Sequence, residues 1–281
     1  MSRLSERSPF LLCARRELRL AVRSRWTQAF AAVFGALSLA VAASGYVLSG
    51  GAGMQDFART AASLMQLVLL IVPLTALVIG VLALSPERGE AELLFSQPVS
   101  RPAVLYGQLA GLFAALAGAE AIGLGAAGLV IFGRSGPLGA GAYGLLFASA
   151  LLLTAIFLGI AALLAAGGPG RRARALALAL IVWFAAVVLW DVAALALATL
   201  LPSGPASRVL IVAALANPID AVRTGTLLAI EGTTAFGAAS LALLRFTKGP
   251  AGAATLVALS TLAWATLPAA LAARRLSRAD L

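Results

Sequence analysis

Long stretches of this chain carry no charged residue, among them residues 60–85, 135–170 and 249–273. Each is longer than the about 20 apolar residues that a helix needs to cross the hydrocarbon core of a bilayer. Soluble domains are about 25% charged, whereas this chain is 11% charged and 61% hydrophobic. The pattern predicts an all-α polytopic membrane protein, with one transmembrane domain over residues 1–281.

Apolar segments separated by short charged segments predict six transmembrane helices. We place these spans at Trp26–Val47, Ala61–Leu84, Leu109–Phe132, Ala142–Ala166, Ala175–Thr199 and Ala253–Ala272. An even number of spans puts both termini on one side of the membrane, and that side then carries 15 of the 21 basic residues. The positive-inside rule therefore predicts that both termini are cytoplasmic. Because membrane orientation explains the net charge of +10, we expect no nucleic-acid partner.

The residues that the chain lacks exclude several kinds of chemistry. There is no histidine, one cysteine (Cys13) and three methionines, so we expect no metal site and no path for copper or zinc. Catalysis by Ser-His or Cys-His pairs also needs histidine. A P-loop needs a Gly-Lys-Ser/Thr sequence, which the only lysine, Lys248, does not provide. We therefore predict a non-catalytic chain that holds no cofactor, so that any ATP-driven work needs a separate subunit.

The segment 10–24 predicts an amphipathic helix before the first span. One predicted face is basic and the opposite face is apolar, with Leu12 interrupting the pattern. The basic face consists of Arg15, Arg16, Arg19 and Arg23, and the apolar face of Phe10, Leu11, Ala14, Leu18, Ala21 and Val22. Such a helix lies in the membrane interface; the alternative is that the arginines serve only as a topology signal.

The loop 85–101, between spans two and three, predicts a short charged helix. Ser85 suits the N-cap, Pro86 the first helical position and Glu87 the positive helix end. Pro98 ends the helix. A partner protein can bind this helix, or the segment is a solvated loop. A second cytoplasmic turn, Gly167–Arg174, contains three arginines.

The long loop 200–251, between spans five and six, contains apolar stretches that are too short to span a membrane. They are Val209–Ala216 and Thr233–Leu244, with a helix-breaking Asn217-Pro218 step between them. Short re-entrant or interfacial helices fit these lengths better than a seventh span.

Two acidic residues lie within predicted spans, where ionisable groups are costly and indicate function. Glu120 lies near the middle of the third span, and Asp191 lies in the outer part of the fifth, next to Trp190. For Glu120 the alternatives are a proton or cation site, an inter-helix hydrogen bond or a misplaced span. For Asp191 we favour a gate or structural ion pair with an external arginine such as Arg208 or Arg223.

Three sequence features together resemble a known transporter family. Residues 87–101, ERGEAELLFSQPVSR, resemble the acid-Gly…Leu-Leu…Pro-x-Ser-Arg loop of ABC-2-type permeases. Residues 217–223, NPIDAVR, resemble an Asn-Pro-x-Asp-x-x-Arg motif, and Trp183 and Asp191 lie in span five. The chain is most similar to the NosY-type permeases of nitrous-oxide reductase maturation. It departs from them at Glu90-Ala91-Glu92, where relatives often have Gly-Thr, so coupling there can differ in detail.

The resemblance implies a bacterial inner-membrane homodimer that works with two ABC ATPase subunits (NosF-like), which bind ATP and Mg²⁺. It implies a periplasmic β-helix partner (NosD-like) and, indirectly, a copper chaperone (NosL-like). The implied ATPase-coupling residues are Glu87, Arg88, Glu90, Glu92, Phe95, Arg101, Arg171 and Arg172. The implied periplasmic gate or partner contacts are Asn217, Pro218, Asp220 and Arg223.

Because the chain has so few copper ligands, we predict that it transmits mechanical work or passes a non-metal substrate. An ABC-2 exporter of a lipid, natural product or drug shares the same cytoplasmic features and is the alternative function. A membrane-embedded enzyme would need convergent acids or nucleophiles, and we find none. An ion-coupled secondary transporter would predict inverted repeats with broken helices at midplane, and it fits the long charged loop less well.

Overall fold

The computed structural model describes residues 9–45, 54–85, 100–137, 139–166, 172–231, 243–247 and 249–278. Within these ranges the fold is helical and contains no strand. The helices are α1 Pro9–Arg23, α2 Arg25–Ala43, α3 Met54–Leu84, α4 Arg101–Ser135, α5 Ala140–Ala165, α6 Arg172–Phe184, α7 Trp190–Thr199, α8 Ser203–Ala216, α9 Pro218–Glu231 and α10 Pro250–Arg278. A π-helical turn, Ala185–Leu189, joins α6 to α7.

Six of the described segments are long and apolar enough to cross a membrane, which confirms the predicted polytopic fold. They are Arg25–Ala43, Phe57–Leu84, Arg101–Arg134, Ala140–Ala165, Arg172–Thr199 and Pro250–Arg278. The third span begins at Arg101, eight residues before the predicted Leu109, because Ser100 is extended and Pro102 occupies the first turn of α4. Spans one, three and five begin at one end of the bundle, and we call it the basic end.

The fourth span, α5, lies at the centre of the bundle and packs against α3, α4, α6, α9 and α10. It contains no charged residue, and a helix that is apolar all round is buried. Leu146, Leu153, Ile156 and Phe157 of α5 are almost fully buried. Gly159 lets α5 approach the backbone of α10, where a Cβ on this glycine would lie 3.4 Å from the Ala269 nitrogen. The core therefore sits on α5.

Helix α1 confirms the predicted helix over this segment. It packs on α4, with Glu17 and Ala21 buried there. Leu11 and Val22, which the helical wheel puts on the apolar face, are exposed, as is Leu12. A helical wheel separates apolar from polar residues, whereas the residues of α1 nearest to Gly107 and Gly111 of α4 are buried or half-buried whatever their polarity. An apolar face that meets lipid is exposed in the way that Leu11 and Val22 are, so these positions do not contradict the prediction, whereas the burial of Glu17 was not predicted.

The segment between spans five and six forms a bent pair of helices, α8 and α9, which meet at 99°. The predicted break at Asn217-Pro218 is confirmed, since α8 ends at Ala216 and α9 begins at Pro218. The first helix extends the predicted stretch Val209–Ala216 toward its N-terminus. Most of the second stretch, Thr233–Leu244, lies outside the described residues.

Candidate functional site

Most of the residues predicted to couple to an ATPase lie outside the described part of the chain. These are Glu87, Arg88, Glu90, Glu92, Phe95 and Arg171. The described chain reaches Ser85 at the end of α3 and resumes at Ser100 before α4. The loop 85–101 therefore starts and finishes at the basic end, as predicted. Arg172 is exposed at the first position of α6.

Arg101 makes an intramolecular contact at the basic end. Its Nη1 donates to the Leu276 carbonyl of α10 across 3.1 Å. The last carbonyls of a helix have no partner within the helix, and cations are favourable there. Arg101 thus links the start of span three, directly after the predicted coupling loop, to the end of span six.

At the other end of the bundle, Asn217 occupies the bend between α8 and α9. Its Oδ1 accepts a hydrogen bond from the Ile219 N–H at 3.2 Å, which is the geometry of an asparagine N-cap for α9. Its Nδ2 donates to the Ala186 carbonyl at 2.8 Å and to Asp220 Oδ2 at 2.9 Å. Ala186 belongs to the π-helical turn of span five. One side chain therefore caps α9 and holds it against span five.

Arg223 lies one turn further along α9 and pairs with two carboxylates. Its Nη2 lies 2.6 Å from Asp220 Oδ1 and its Nη1 lies 3.4 Å from Asp191 Oδ2. The ion pair predicted between Asp191 and an external arginine is present with Arg223. Asp220 lies outside the six spans, and burial raises the pKa of its carboxyl to about 6 despite the opposing effect of Arg223. We call Asp191, Asn217, Asp220 and Arg223 the junction cluster.

Two carbonyls at the end of α8 accept hydrogen bonds from side chains of spans five and six; the Ala213 carbonyl also accepts one from the Asn217 N–H at 3.2 Å. Trp190 Nε1 donates to the Ala213 carbonyl at 3.0 Å. Ser260 Oγ donates to the Leu215 carbonyl at 2.6 Å, and Trp264 Nε1 donates to the same oxygen at 3.4 Å. A helix that ends within an apolar environment needs such donors, because each unsatisfied carbonyl is costly. The bend is therefore fixed by both neighbouring spans.

Sequence reasoning missed the π-helical turn and the backbone groups that it presents. π turns insert an extra residue and are frequent at functional sites. The sequence offers one indication, a Trp190-Asp191 pair within an otherwise apolar span. The Ala186 carbonyl, which accepts from Asn217, has no indication in the sequence, because any residue type provides a carbonyl.

Glu120 of α4 faces another helix and is only 1% exposed. Its Oε1 accepts a hydrogen bond from Thr154 Oγ1 of α5, and its Oε2 has no partner within the described part of the chain. The inter-helix hydrogen bond that we offered as one alternative is present. Glu120 does not join the junction cluster in any contact that the structure shows.

Among the described residues, no group of three histidine, cysteine or acidic side chains is placed to hold a metal ion. Asp191 and Asp220 share Arg223, whose guanidinium compensates one of their two negative charges. The junction cluster is therefore built as an ion-pair network.

A family model described as "ABC-2 family transporter protein" matches residues 11–281. The chain is 34% identical over 235 residues to the "Probable ABC transporter permease protein NosY" of Pseudomonas aeruginosa, which covers 82% of this chain and 85% of the relative. It is also 34% identical over 235 residues to the protein of the same name from Stutzerimonas stutzeri, covering 81% and 85%.

Proposed function

This chain belongs to the ABC-2 family of transporter proteins, and from that premise we propose that it couples ATP hydrolysis by a separate subunit to a partner protein across the membrane. It is a multi-pass ABC transporter permease subunit. A more specific proposal rests on the similarity to two permeases named NosY, which extends along most of this chain and most of each relative. On that basis the process that it serves is copper-site assembly in nitrous-oxide reductase.

The orientation that we propose places the basic end in the cytoplasm of a bacterial cell and the junction cluster in the periplasm. The predicted split of basic residues, 15 against six of the 21 in the chain, supports it through the positive-inside rule. In this orientation the loop 85–101 faces the ATPase, which supplies ATP and Mg²⁺ binding. The turn that contains Arg171 and Arg172 provides a second contact.

The contacts of the described residues support a mechanical route between the two faces. Arg101 joins the start of α4, next to the coupling loop, to the end of α10 through the Leu276 carbonyl. Further along α10, Ser260 and Trp264 hold the last turn of α8. Through α10, displacement of the coupling loop would reach the junction cluster. There the half-buried Arg223 would contact a periplasmic β-helix partner of the NosD kind, which would act with a NosL-like copper chaperone. Pro218 and Asp220 are buried and would serve as the gate behind this contact.

We propose that copper is not conducted through this subunit. The chain has no histidine and a single cysteine, and carboxylates alone are weak, unselective copper ligands. Cys13 lies on α1, at the basic end, away from the junction cluster. The subunit instead transmits movement, as one of two copies that flank a shared interface. Copper uptake into vesicles that hold only this chain and its ATPase, abolished by ATPase inactivation, would contradict this.

The test is co-purification of the tagged chain with the products of its own operon. We expect an ATPase and a periplasmic β-helix protein to be recovered. Changing Glu87, Glu90 and Glu92 together to Ala should then weaken ATPase binding or hydrolysis. Recovery of an ATPase without a periplasmic partner would favour the exporter of a lipid, natural product or drug. Recovery of no ATPase would refute coupling through this loop.

A further inference from the structure

Helix α1 is held on α4 by two glycines, and this contact determines which of its faces remains exposed. A Cβ on Gly107 would lie 2.7 Å from both Cys13 Cβ and the Phe10 carbonyl oxygen. A Cβ on Gly111 would lie 2.7 Å from Glu17 Cβ and 2.8 Å from the Leu18 nitrogen. Glycines four residues apart allow helix backbones to approach this closely. The orientation of α1 about its own axis is therefore fixed by backbone contact.

The exposed side of α1 is strongly basic. Arg15, Arg16, Arg19 and Arg23 are all exposed and fall on one side of a helix that turns 100° per residue. Glu17 is the only acidic residue of α1, and it is buried on the α4 side. Glu17 interacts electrostatically with Arg16, but it is buried, so the exposed side still presents four guanidinium groups and no carboxylate.

Apolar side chains flank these arginines instead of polar ones. Leu11, Leu12, Leu20 and Val22 of α1 and Trp26 at the start of α2 are each more than 50% exposed. A water-facing helix would not leave this much apolar surface uncovered beside its charges. Arginines bordered by exposed leucine and tryptophan are typical of a surface that meets lipid headgroups and the adjacent acyl chains.

The length of α4 places this surface at headgroup depth. The third span has 34 residues, or about 51 Å of helix, and exceeds the hydrocarbon core of about 30 Å by roughly 10 Å at each end. Gly107 and Gly111 lie six and ten residues after Arg101, which is about 9–15 Å along the helix. The contact with α1 is therefore close to the boundary between hydrocarbon and headgroups.

We propose that Arg15, Arg16, Arg19 and Arg23 form a binding site for anionic phospholipid headgroups, with the neighbouring leucines against the acyl chains. The guanidinium groups pair with the phosphate of the headgroup, for which their donor geometry is suited. The site goes beyond the coupling function proposed above, because it requires neither an ATPase nor a periplasmic partner. It also goes beyond a topology signal, because the bound lipid is part of the folded subunit.

The test uses the full-length chain in a neutral detergent, titrated with phosphatidylglycerol or phosphatidylcholine and followed by native mass spectrometry and thermal unfolding. We expect retained phosphatidylglycerol and a higher unfolding temperature with that lipid, but not with phosphatidylcholine. Removing three charges in R15Q/R19Q/R23Q should weaken phosphatidylglycerol binding by about tenfold or more, since each basic residue near an anionic surface contributes about 1 kcal/mol. The charge-preserving variant R15K/R19K/R23K should retain most of it.

A matched control removes three exposed arginines elsewhere, in R134Q/R208Q/R245Q, which changes the net charge equally. This variant should bind phosphatidylglycerol as the unchanged chain does. Equal loss in both triple variants would reduce the effect to net charge and overturn the site. Displacement of the lipid by stoichiometric glycerol phosphate would assign the site to a soluble phosphate instead. If R15Q/R19Q/R23Q does not fold, the three single variants replace it, and unchanged binding in all three would overturn the proposal.

Discussion

At the scale of single residues, Asn217 makes three hydrogen bonds that have different purposes. Its oxygen caps α9, whereas its amide group donates to Ala186 in span five and to Asp220. The substitution Asn217→Asp keeps the capping oxygen and removes both donated bonds. Asn217→Ala removes all three. The two variants therefore separate capping from the link to span five.

We expect Asn217→Asp to destabilise the fold at least as much as Asn217→Ala. The aspartate would leave the Ala186 carbonyl without its donor, at a cost of about 1–3 kcal/mol, and would put a second carboxylate beside Asp220. Unfolding in detergent, monitored by tryptophan fluorescence, measures this. Thr266→Ala, at an exposed hydroxyl of α10, is the control and should change little. An Asn217→Asp protein as stable as the unchanged chain would show that capping alone matters.

Asp220 predicts a pH dependence whose direction follows from its environment. Burial raises the pKa of this carboxyl from 3.8 to about 6, with Asp191 adding to the rise and Arg223 opposing it. Between these two values the folded state keeps a proton that the unfolded chain releases. The contribution of Asp220 to the free energy of unfolding is therefore largest below pH 3.8 and is lost as the pH rises to about 6.

Asp220→Asn should remove this contribution. We expect the stability of the unchanged chain relative to the variant to fall between about pH 4 and pH 6 and to level off above that. Unfolding of both proteins in a pH series gives this difference. A difference that rises with pH over the same interval would show that the pairing with Arg223 outweighs burial and lowers the pKa.

At the scale of helices, the approach of α1 to α4 depends on glycine only where the backbones touch. Gly111 faces Glu17 and Leu18 of α1, whereas Gly118 on the same helix has nothing within 4 Å of the Cβ position. Gly111→Ala must therefore move α1, whereas Gly118→Ala should be neutral or stabilising, by up to about 1 kcal/mol from helix propensity. Composition alone does not distinguish these two glycines.

Cys13 reports this movement, because it is the only cysteine of the chain and lies on α1. It is partly buried, and burial raises the pKa of its thiol, so we expect slow reaction with a maleimide. Gly111→Ala should speed this reaction several-fold, and Gly118→Ala should not. Equal labelling rates in the two variants would mean that α1 is held by contacts other than the glycines.

Arg101 connects two helices and was predicted from the family resemblance to contact an ATPase. We expect Arg101→Gln to lower the stability of the isolated chain by about 1–3 kcal/mol, since a hydrogen bond from a charged group to the Leu276 carbonyl is lost. Arg172→Gln, at an exposed position, should change it by no more than about 0.5 kcal/mol. Denaturant unfolding without an ATPase measures both. If Arg101 only contacts the ATPase, its substitution will leave the isolated chain unchanged.

At the scale of the whole molecule, the six spans were predictable because the bilayer imposes their length and apolarity. The break at Asn217 was predictable because Pro218 follows it. The arginine partner of Asp191 was predictable because few charged residues are near enough to pair with it. The 99° bend and the π turn were not, because they depend on which distant donors reach the free carbonyls of α8. The faces of α1 were half predictable: hydropathy orders the residues, but Glu17 is buried by a backbone contact that hydropathy does not encode.

The fifth span is the least buried of the six described spans. In its most apolar part 11% is buried, compared with 67% for the fourth span. Ile181, Val192 and Leu195 are all exposed there. The ABC permease family implies dimerisation, and the least buried span has the most apolar surface to bury against a second copy.

We therefore predict that span five lies at the dimer interface. Single cysteines at Ile181, Val192 or Leu195, each in a Cys13→Ala background, should give disulfide-linked dimers in membranes treated with a mild oxidant. Leu259→Cys and Leu262→Cys on α10 are matched controls, because these leucines are equally exposed but lie on another span. Cross-linking at α10 but not at span five would move the interface to span six. Because Asp191 of the junction cluster lies on span five and Asn217 bonds to its π turn, a dimer through this span would bring the two junction clusters closer together than a dimer through span six.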